Sequence, residues 1–400
     1  MVKRMNNLPE EIIEKILYKL PVKSLLRFKC VSKGWCSLIS SKYFAQEHLK
    51  EKSGTDSDLS HHYLLFSDYI NQQSIGSCSL RSIFDEPDNR LGPCFLRSFY
   101  DDGDGDGDGD EPNILGSSYL RPLANDFNPI ETFDFDIQIV GSCNGLILIS
   151  MNWDEKLFIW NPATRQTNRI IAPSLPEQGR LYLPIWDDII LGFGYNESTD
   201  DYNVVAILIY FYPHQTQMYS SKTGSWKEIE SPDKNIPFDF GSGKFVNGRL
   251  HWIVEGDIVH GWDIVSFDLV SEKYEVVAGP ECLSVRIHTR PVVKDLGGYL
   301  SLIWSSAKFD VHVWVMTKYG VSQSWTRIWK IDDFSDLQGW IPRAMPLCLL
   351  KNGDMAVSLG QDVLVCNGRD KLRKSRVHIL DSKVDSIIYF ESLVSPFGER

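Results

Sequence analysis

The chain has no apolar run long enough to cross a bilayer as a helix; the longest extends only from Val204 to Tyr212. Its opening, MVKRMNNLPEE, lacks the apolar centre of a secretion signal. These absences predict a soluble protein of the cytoplasm or nucleus, away from membranes. A basic excess is missing too. With a net charge of -12 the chain cannot neutralise phosphates over a broad face, so a general nucleic-acid binder is not expected. The eight cysteines contain no CxxC pair and no His at ligand spacing, which excludes the common zinc frameworks and leaves reduced, mostly buried thiols.

Catalytic signatures are equally scarce. No HExxH, GxSxG or GxxxxGK[ST] occurs, and the nine His residues, among them His61, His62, His214, His251, His260, His288, His312 and His378, keep no recurrent spacing to carboxylates. The adjacent pairs Asp187-Asp188 and Asp200-Asp201 fit loops better than acid-base chemistry, because neighbours point to opposite faces of a strand. The tract DDGDGDGDGDE, Asp101 to Glu111, mimics the start of an EF-hand loop, but Asn113 stands where a bidentate Glu is required. It reads as a solvated charge run. No metal or other cofactor is expected.

What is present falls into two regions with different periods. From Leu8 to about Leu49, Ile12, Ile13, Ile16, Leu17 and Leu20 recur at helical spacing, with Glu10, Glu11, Glu14, Lys15 and Lys19 opposite. Pro9 and the two Glu residues suit a helix start, and Pro21 stops the run. A second helix follows through Leu25, Leu26 and Phe28, then a third capped by Ser32 with Trp35, Leu38 and Ile39 facing inward. Residues 1–52 carry a net +6, leaving -18 for the rest. That asymmetry fits either a solvated lysine-rich surface or an acidic docking partner. Three short helices bury little area alone, so a partner is expected.

Beyond residue 60 the pattern becomes strands and tight turns, in keeping with an aromatic share of 12%. Asn144-Gly145, Asn247-Gly248, Gly297-Gly298 and Asn352-Gly353 are hairpin dipeptides spaced by one or two units of about 50 residues, the missing turn falling near Gly194-Tyr195-Asn196. FIWNPATRQ, MYSSKTGSW, FDLVSEKY and VWVMTKYGVSQSW recur in phase late in each unit. A four-stranded blade has this length and cannot bury its faces alone, so radial stacking is predicted. Trp160, Trp226, Trp252 and Trp325 follow the repeat and read as blade packing rather than ligand stacking. Tyr63 to Phe66 and Ser79 to Phe84 read as strands of a first blade within residues 51–135.

LPEEIIEKILYKLPVKSLLRFKCVSKGW, Leu8 to Trp35, resembles the F-box, with both Leu-Pro pairs, Leu-Leu-Arg and Val-Ser-Lys-x-Trp in order. IVGSCNGLILI, WNPATRQ, GFGYNESTDDYNVV, FVNGRLHWI and YFESLVSP resemble the F-box-associated interaction domain of plant proteins. The fold implied is α+β and multidomain: a three-helix F-box over residues 1–50, then an all-β propeller-like domain over 136–396. The resemblance further implies docking on a Skp-type adaptor through Leu8, Pro9, Ile12, Ile16, Leu17, Leu20, Pro21, Leu25, Leu26, Val31 and Trp35. Some of these must be core instead, since both roles demand one residue type. Through the adaptor come a cullin and a RING subunit, with a protein target held by the propeller for ubiquitination and degradation. Relatives include forms that recognise incompatibility ribonucleases and forms that control immune-receptor abundance. Two other readings compete: a propeller carbohydrate hydrolase, and an F-box protein working outside a ligase.

Overall fold

A computed structural model describes residues 9–53, 61–68, 75–85, 137–151, 156–173, 189–209, 214–232, 241–256, 261–281, 290–305, 311–331, 344–350, 352–359, 362–366, 377–378 and 384–397. Leu8, the Asp-Gly tract, Asp187-Asp188, His260 and His288 lie outside them.

Four helices open the chain: α1 Glu10–Tyr18, α2 Val22–Phe28, α3 Lys33–Ser40 and α4 Lys42–Ser53. The three-helix expectation is therefore one helix short. Pro9 and Pro21 each stand immediately before a helix, where a missing N–H costs nothing. Ser32 caps α3 by accepting from the Trp35 N–H at 3.1 Å, and Ser41 does the same for α4 through Phe44 N–H at 3.2 Å. Leu17, Val22, Leu25, Ile39 and Phe44 form one buried cluster at the centre of the four helices.

All remaining described strands belong to six antiparallel sheets. Five have four strands in chain order: β3 Ile137–Cys143, β4 Leu146–Met151, β5 Lys156–Asn161 and β6 Gln166–Ile171; β7 Ile189–Asn196, β8 Asp201–Leu208, β9 Gln215–Ser220 and β10 Ser225–Ile229; β11 Lys244–Val246, β12 Arg249–Glu255, β13 Trp262–Asp268 and β14 Lys273–Val277; β15 Val292–Leu296, β16 Tyr299–Ser305, β17 Val311–Met316 and β18 Trp325–Ile331; β19 Ala344–Leu349, β20 Met355–Leu359, β21 Asp362–Cys366 and β22 Val377–His378. The sixth sheet joins the two ends of the ring. In it β1 His62–Asp68 pairs with β2 Ile75–Ser79 on one side and with β23 Val384–Phe390 on the other. The innermost strands β23, β3, β7, β11, β15 and β19 contact one another in turn and close the circle. Closure removes the inner sheet edge that an open stack would expose.

Apolar packing is radial. Each seam between neighbouring sheets has its own buried cluster: Leu146, Ile159, Phe193 and Val204 fill one seam, Val205, Leu250, Trp252 and Phe267 the next. The expected blade length and three of the four expected turns hold. Asn144, Gly145, Asn247, Gly248, Gly297 and Gly298 all adopt positive φ, as two-residue hairpins demand. Two inner turns are longer: Glu197 to Asp200, with Asp200 left-handed at φ 52°, and the β19–β20 connection between Leu349 and Met355, where the expected Asn352-Gly353 pair is not a two-residue hairpin and only Gly353 is left-handed. One stretch corrects the sequence reading: Ser79 ends β2, and Leu80–Asp85 is a helix, α5, not a strand. Leu80 and Phe84, one helical turn apart, pack together against Leu64 and Cys78.

The aromatic residues in phase with the repeat stitch blade to blade. The Trp226 indole N–H donates to the Ile171 carbonyl at 2.7 Å and that of Trp325 to the Ala278 carbonyl at 2.8 Å, each reaching into the preceding sheet. Tyr274 and Thr216 share a hydroxyl contact at 3.2 Å across another seam. Trp160, Trp252 and Trp325 are buried and Trp226 packs at a seam, in line with blade packing.

Candidate functional site

On the helices, the residues proposed for adaptor contact separate by burial. Leu17 at 1% and Leu25 at 0% exposure belong to the module's own core. Ile12 at 44%, Ile16 at 48% and Val31 at 61% face solvent, with Pro9 and Pro21 also exposed. Leu20, Leu26 and Trp35 are half-buried at the rim of the core, with the Trp35 ring edge-on to Phe28 at 5.6 Å. Ile12 and Ile16 sit one turn apart on α1, so their side chains share a face. Two exposed isoleucines on such a face leave apolar area in water; full burial of each is worth about 1.5–3 kcal/mol. The thiols of Cys30 and Cys36 are exposed as well, whereas Cys78, Cys143 and Cys348 are buried as expected. Burial pushes the Cys348 thiol up to about 12, which keeps it protonated and unreactive.

The module is fixed to the ring by contacts that the sequence does not announce. Leu393 leaves β23 and enters the helical core beside Leu17 and Leu25, while Val394 enters the seam under Leu146 and Phe193. Between the two, buried Asn161 donates to the carbonyls of Ser392 at 3.1 Å and Val394 at 2.7 Å, and its own carbonyl oxygen accepts from Ala163 and Thr164 N–H. Ser392 Oγ donates to the Asn144 carbonyl at 2.8 Å. A second attachment gathers on Asp200 in the turn between β7 and β8. It takes an ion pair from Lys42, a hydrogen bond from Gln46 Nε2 at 2.9 Å and one from the Tyr195 hydroxyl. Partial burial raises its carboxyl, yet these donors prevail and hold it below the usual carboxylate range. A third contact runs from Lys52 Nζ to the Lys19 carbonyl at 2.9 Å and to His61 Nε2 at 3.1 Å.

Down the middle of the ring lies a cavity of about 1430 Å³, lined by strands of all six sheets. Its wall includes Lys244, Arg290, Lys294 and Asp295. Enclosure by the surrounding strands pushes the Asp295 carboxyl up to about 6, against a hydrogen bond from Gly298 N–H at 2.7 Å. His251 is buried, contacts the Lys244 carbonyl at 3.2 Å and the Tyr319 hydroxyl at 2.7 Å, and is lowered to about 4 by that burial. Among the described residues no group of three or more His, Cys, Asp or Glu could hold a metal ion. Asp200 and Asp201 both serve structure: Asp201 accepts from Ser221 Oγ at 2.8 Å and Lys222 N–H at 3.0 Å, tying β8 to β9.

Comparison with known proteins agrees with this architecture. Residues 5–47 match the family model of the F-box domain, and residues 117–395 match that of the F-box associated beta propeller domain. An F-box/kelch-repeat protein of Arabidopsis thaliana is 28% identical across 98% of this chain and 96% of its own length. The F-box protein CPR1 of the same plant is 28% identical across 82% of this chain and 73% of its own. Among solved structures, TolB from Acinetobacter baumannii superposes at a TM-score of 0.45 with 7% identity, over 87% of this chain and 73% of TolB. The two family models match the helical opening through residue 47 and the ring from β3 onward, and the chain belongs to the F-box proteins that carry an F-box-associated β-propeller.

Proposed function

We propose that this chain is the target-selecting subunit of a Skp-cullin-F-box ubiquitin ligase of the cytoplasm or nucleus. The helical module docks in a groove of a Skp-type adaptor through Ile12, Ile16 and Val31, with Pro9, Leu20, Pro21, Leu26 and Trp35 at the margin. Leu17 and Leu25 act from beneath by holding α1 and α2 in place. Through the adaptor the chain reaches a cullin and its RING subunit, and the ring holds a protein target for ubiquitination and degradation. No acid-base group of the chain is needed for this. Holding a target lysine beside a thioester raises its effective concentration, and that alone accelerates transfer.

The observation that carries the reading is the exposure of Ile12 and Ile16 on a helix whose other face packs Ile13, Leu17 and Tyr18 against the module's core. Helix-in-groove recognition uses apolar anchors of this spacing. Supporting it, Leu393 in the helical core, the Lys42–Asp200 ion pair and the Lys52–His61 contact join the module to the ring, so a bound target keeps a bearing toward the adaptor. Affinity purification of the tagged full chain from plant cells tests the assignment. Recovery of a Skp-type adaptor together with a cullin is expected. Adaptor without cullin removes the ligase role, and neither partner removes the docking role as well.

A further inference from the structure

The exposed apolar anchors of the helical module have cations for neighbours. Lys15 stands three residues on from Ile12, and Lys19 three on from Ile16, so these four exposed side chains share the outward side of α1. Val31, in the connection between α2 and α3, is flanked two residues away by half-buried Lys29 and by exposed Lys33. Glu10, Glu11 and Glu14 are never three or four residues from either isoleucine, so no carboxylate of α1 stands beside them. The excess is regional: residues 1–52 carry a net +6 within a chain of net charge -12.

Nothing in the chain neutralises these cations. On α4, Lys42 pairs with Asp200, Lys50 pairs with Glu47 at 2.8 Å, and Lys52 reaches the Lys19 carbonyl and His61. Among the described residues Lys15, Lys19, Lys29 and Lys33 form no ion pair. The negative end of the α1 dipole favours Lys15 and Lys19, which keeps the row in place although its two members, one turn apart, repel each other. A carboxylate brought between them from outside relieves that repulsion. The outward side of α1 is thus an apolar row bordered by unpaired positive charge, and its complement is an apolar groove bordered by negative charge.

We propose that the adaptor groove receiving α1 is rimmed by carboxylates, and that Lys15, Lys19 and Lys33 draw the adaptor in before Ile12, Ile16 and Val31 are buried. The proposal rests on the docking reading and adds the charge of the partner and the task of the cations. Apolar side chains attract only on contact, whereas charges act over a screening length of about 8 Å at physiological ionic strength. Complementary charges at the rim of an interface act mainly on the rate of association, and the packed centre sets how long the complex lasts.

The test mixes the full chain with a purified, fluorophore-labelled Skp-type adaptor in a stopped-flow instrument. Ionic strength is raised from about 0.01 M to about 0.15 M, which shortens the screening length from about 30 Å to about 8 Å. The association rate constant should fall about ten-fold or more, and the dissociation rate constant should change less. Lys15→Gln/Lys19→Gln/Lys33→Gln, at three exposed side chains, should lower the low-salt association rate about ten-fold and flatten its salt dependence. If circular dichroism shows that this variant folds poorly, Lys15→Gln alone should shift the rate in the same direction. An association rate indifferent to salt, or unchanged in a folded variant, overturns the proposal and leaves the apolar docking face standing. Failure of the unaltered chain to bind the adaptor at any salt concentration sinks the docking reading and the proposal together. Sedimentation of the chain alone is the last arm: a low-salt dimer abolished by the same substitutions assigns the cations to a second copy of the acidic chain and also overturns the proposal.

Discussion

The helical module and the sheet ring solve the same burial problem in opposite ways. The ring buries each sheet against the next and pairs the strand nearest its end with one nearest its beginning, β23 with β1, so its apolar surface is consumed internally. Its exposed large apolar residues, such as Ile171, Val270 and Val276, are spread over outer strands and turns. The module has four short helices around one small core, takes Leu393 from the ring's last segment to fill it, and still leaves Ile12 and Ile16 in water. A closed repeat can afford self-sufficiency, whereas a small helical cluster is completed by neighbours. One neighbour is the ring itself, and the exposed face of α1 is left for another.

Breaking that contrast should have the largest effect where the ring closes. Ending the chain at residue 383 removes β23 and the segment carrying Leu393 and Val394, so both regions lose their shared closure. The expected product is insoluble or unfolded by circular dichroism; a soluble chain with a cooperative melt would show that closure is dispensable. Leu25→Ala comes next. It cuts a fully buried side chain from the helical core and should cost about 3 kcal/mol there, melting the helices while leaving the near-ultraviolet signal of the ring tryptophans in place.

Acid offers a third lever, and in the ring it acts through His251. With His251 lowered to about 4, the unfolded chain takes up a proton below its ordinary 6.5 that the folded chain refuses. Stability is therefore complete above that value and falls as pH drops from 6.5 to 4, by at most about 3 kcal/mol. Asp295 has the opposite sign. Raised to about 6, it favours the folded chain as pH falls from 6 toward 3.8. His251→Gln should flatten the acid limb of a denaturant titration series; an unchanged limb would show that another group carries it. Smaller still, Trp325→Phe removes the bond to the Ala278 carbonyl and should lower ring stability by about 1 kcal/mol, with no change in the helical transition.

The same contrast governs how much of the molecule the sequence reveals. Two-residue turns need left-handed backbone, so Asn144-Gly145, Asn247-Gly248 and Gly297-Gly298 announce the blades directly. Helices α1 to α3 show a regular apolar period. Helix α4 escaped because its inward side mixes Phe44 and Ala45 with His48, whose ring nitrogen meets the Leu20 carbonyl at 2.9 Å. The signals available were its cap at Ser41 and the basic last turn at Lys50 and Lys52. Ser79 to Phe84 mixes apolar and polar residues much as a half-buried strand does, and only packing with Leu64 and Cys78 decides for a helix. At the docking face, residue type alone could not part Leu25 from Ile16, since core and interface ask for the same chemistry; exposure parts them. Asn161 and Asp200 were invisible as fasteners because their partners lie 154 to 233 residues away in sequence.

The smallest effect expected on stability is also the sharpest test of the central claim, that the exposed side of α1 belongs to an adaptor. Ile12→Asp/Ile16→Asp changes two solvent-facing side chains and should shift the melt by no more than about 0.5 kcal/mol per site. Titrated calorimetrically against a purified Skp-type adaptor, the unaltered chain should bind and this folded variant should show no detectable heat. Equal affinity of the two proteins would contradict the account.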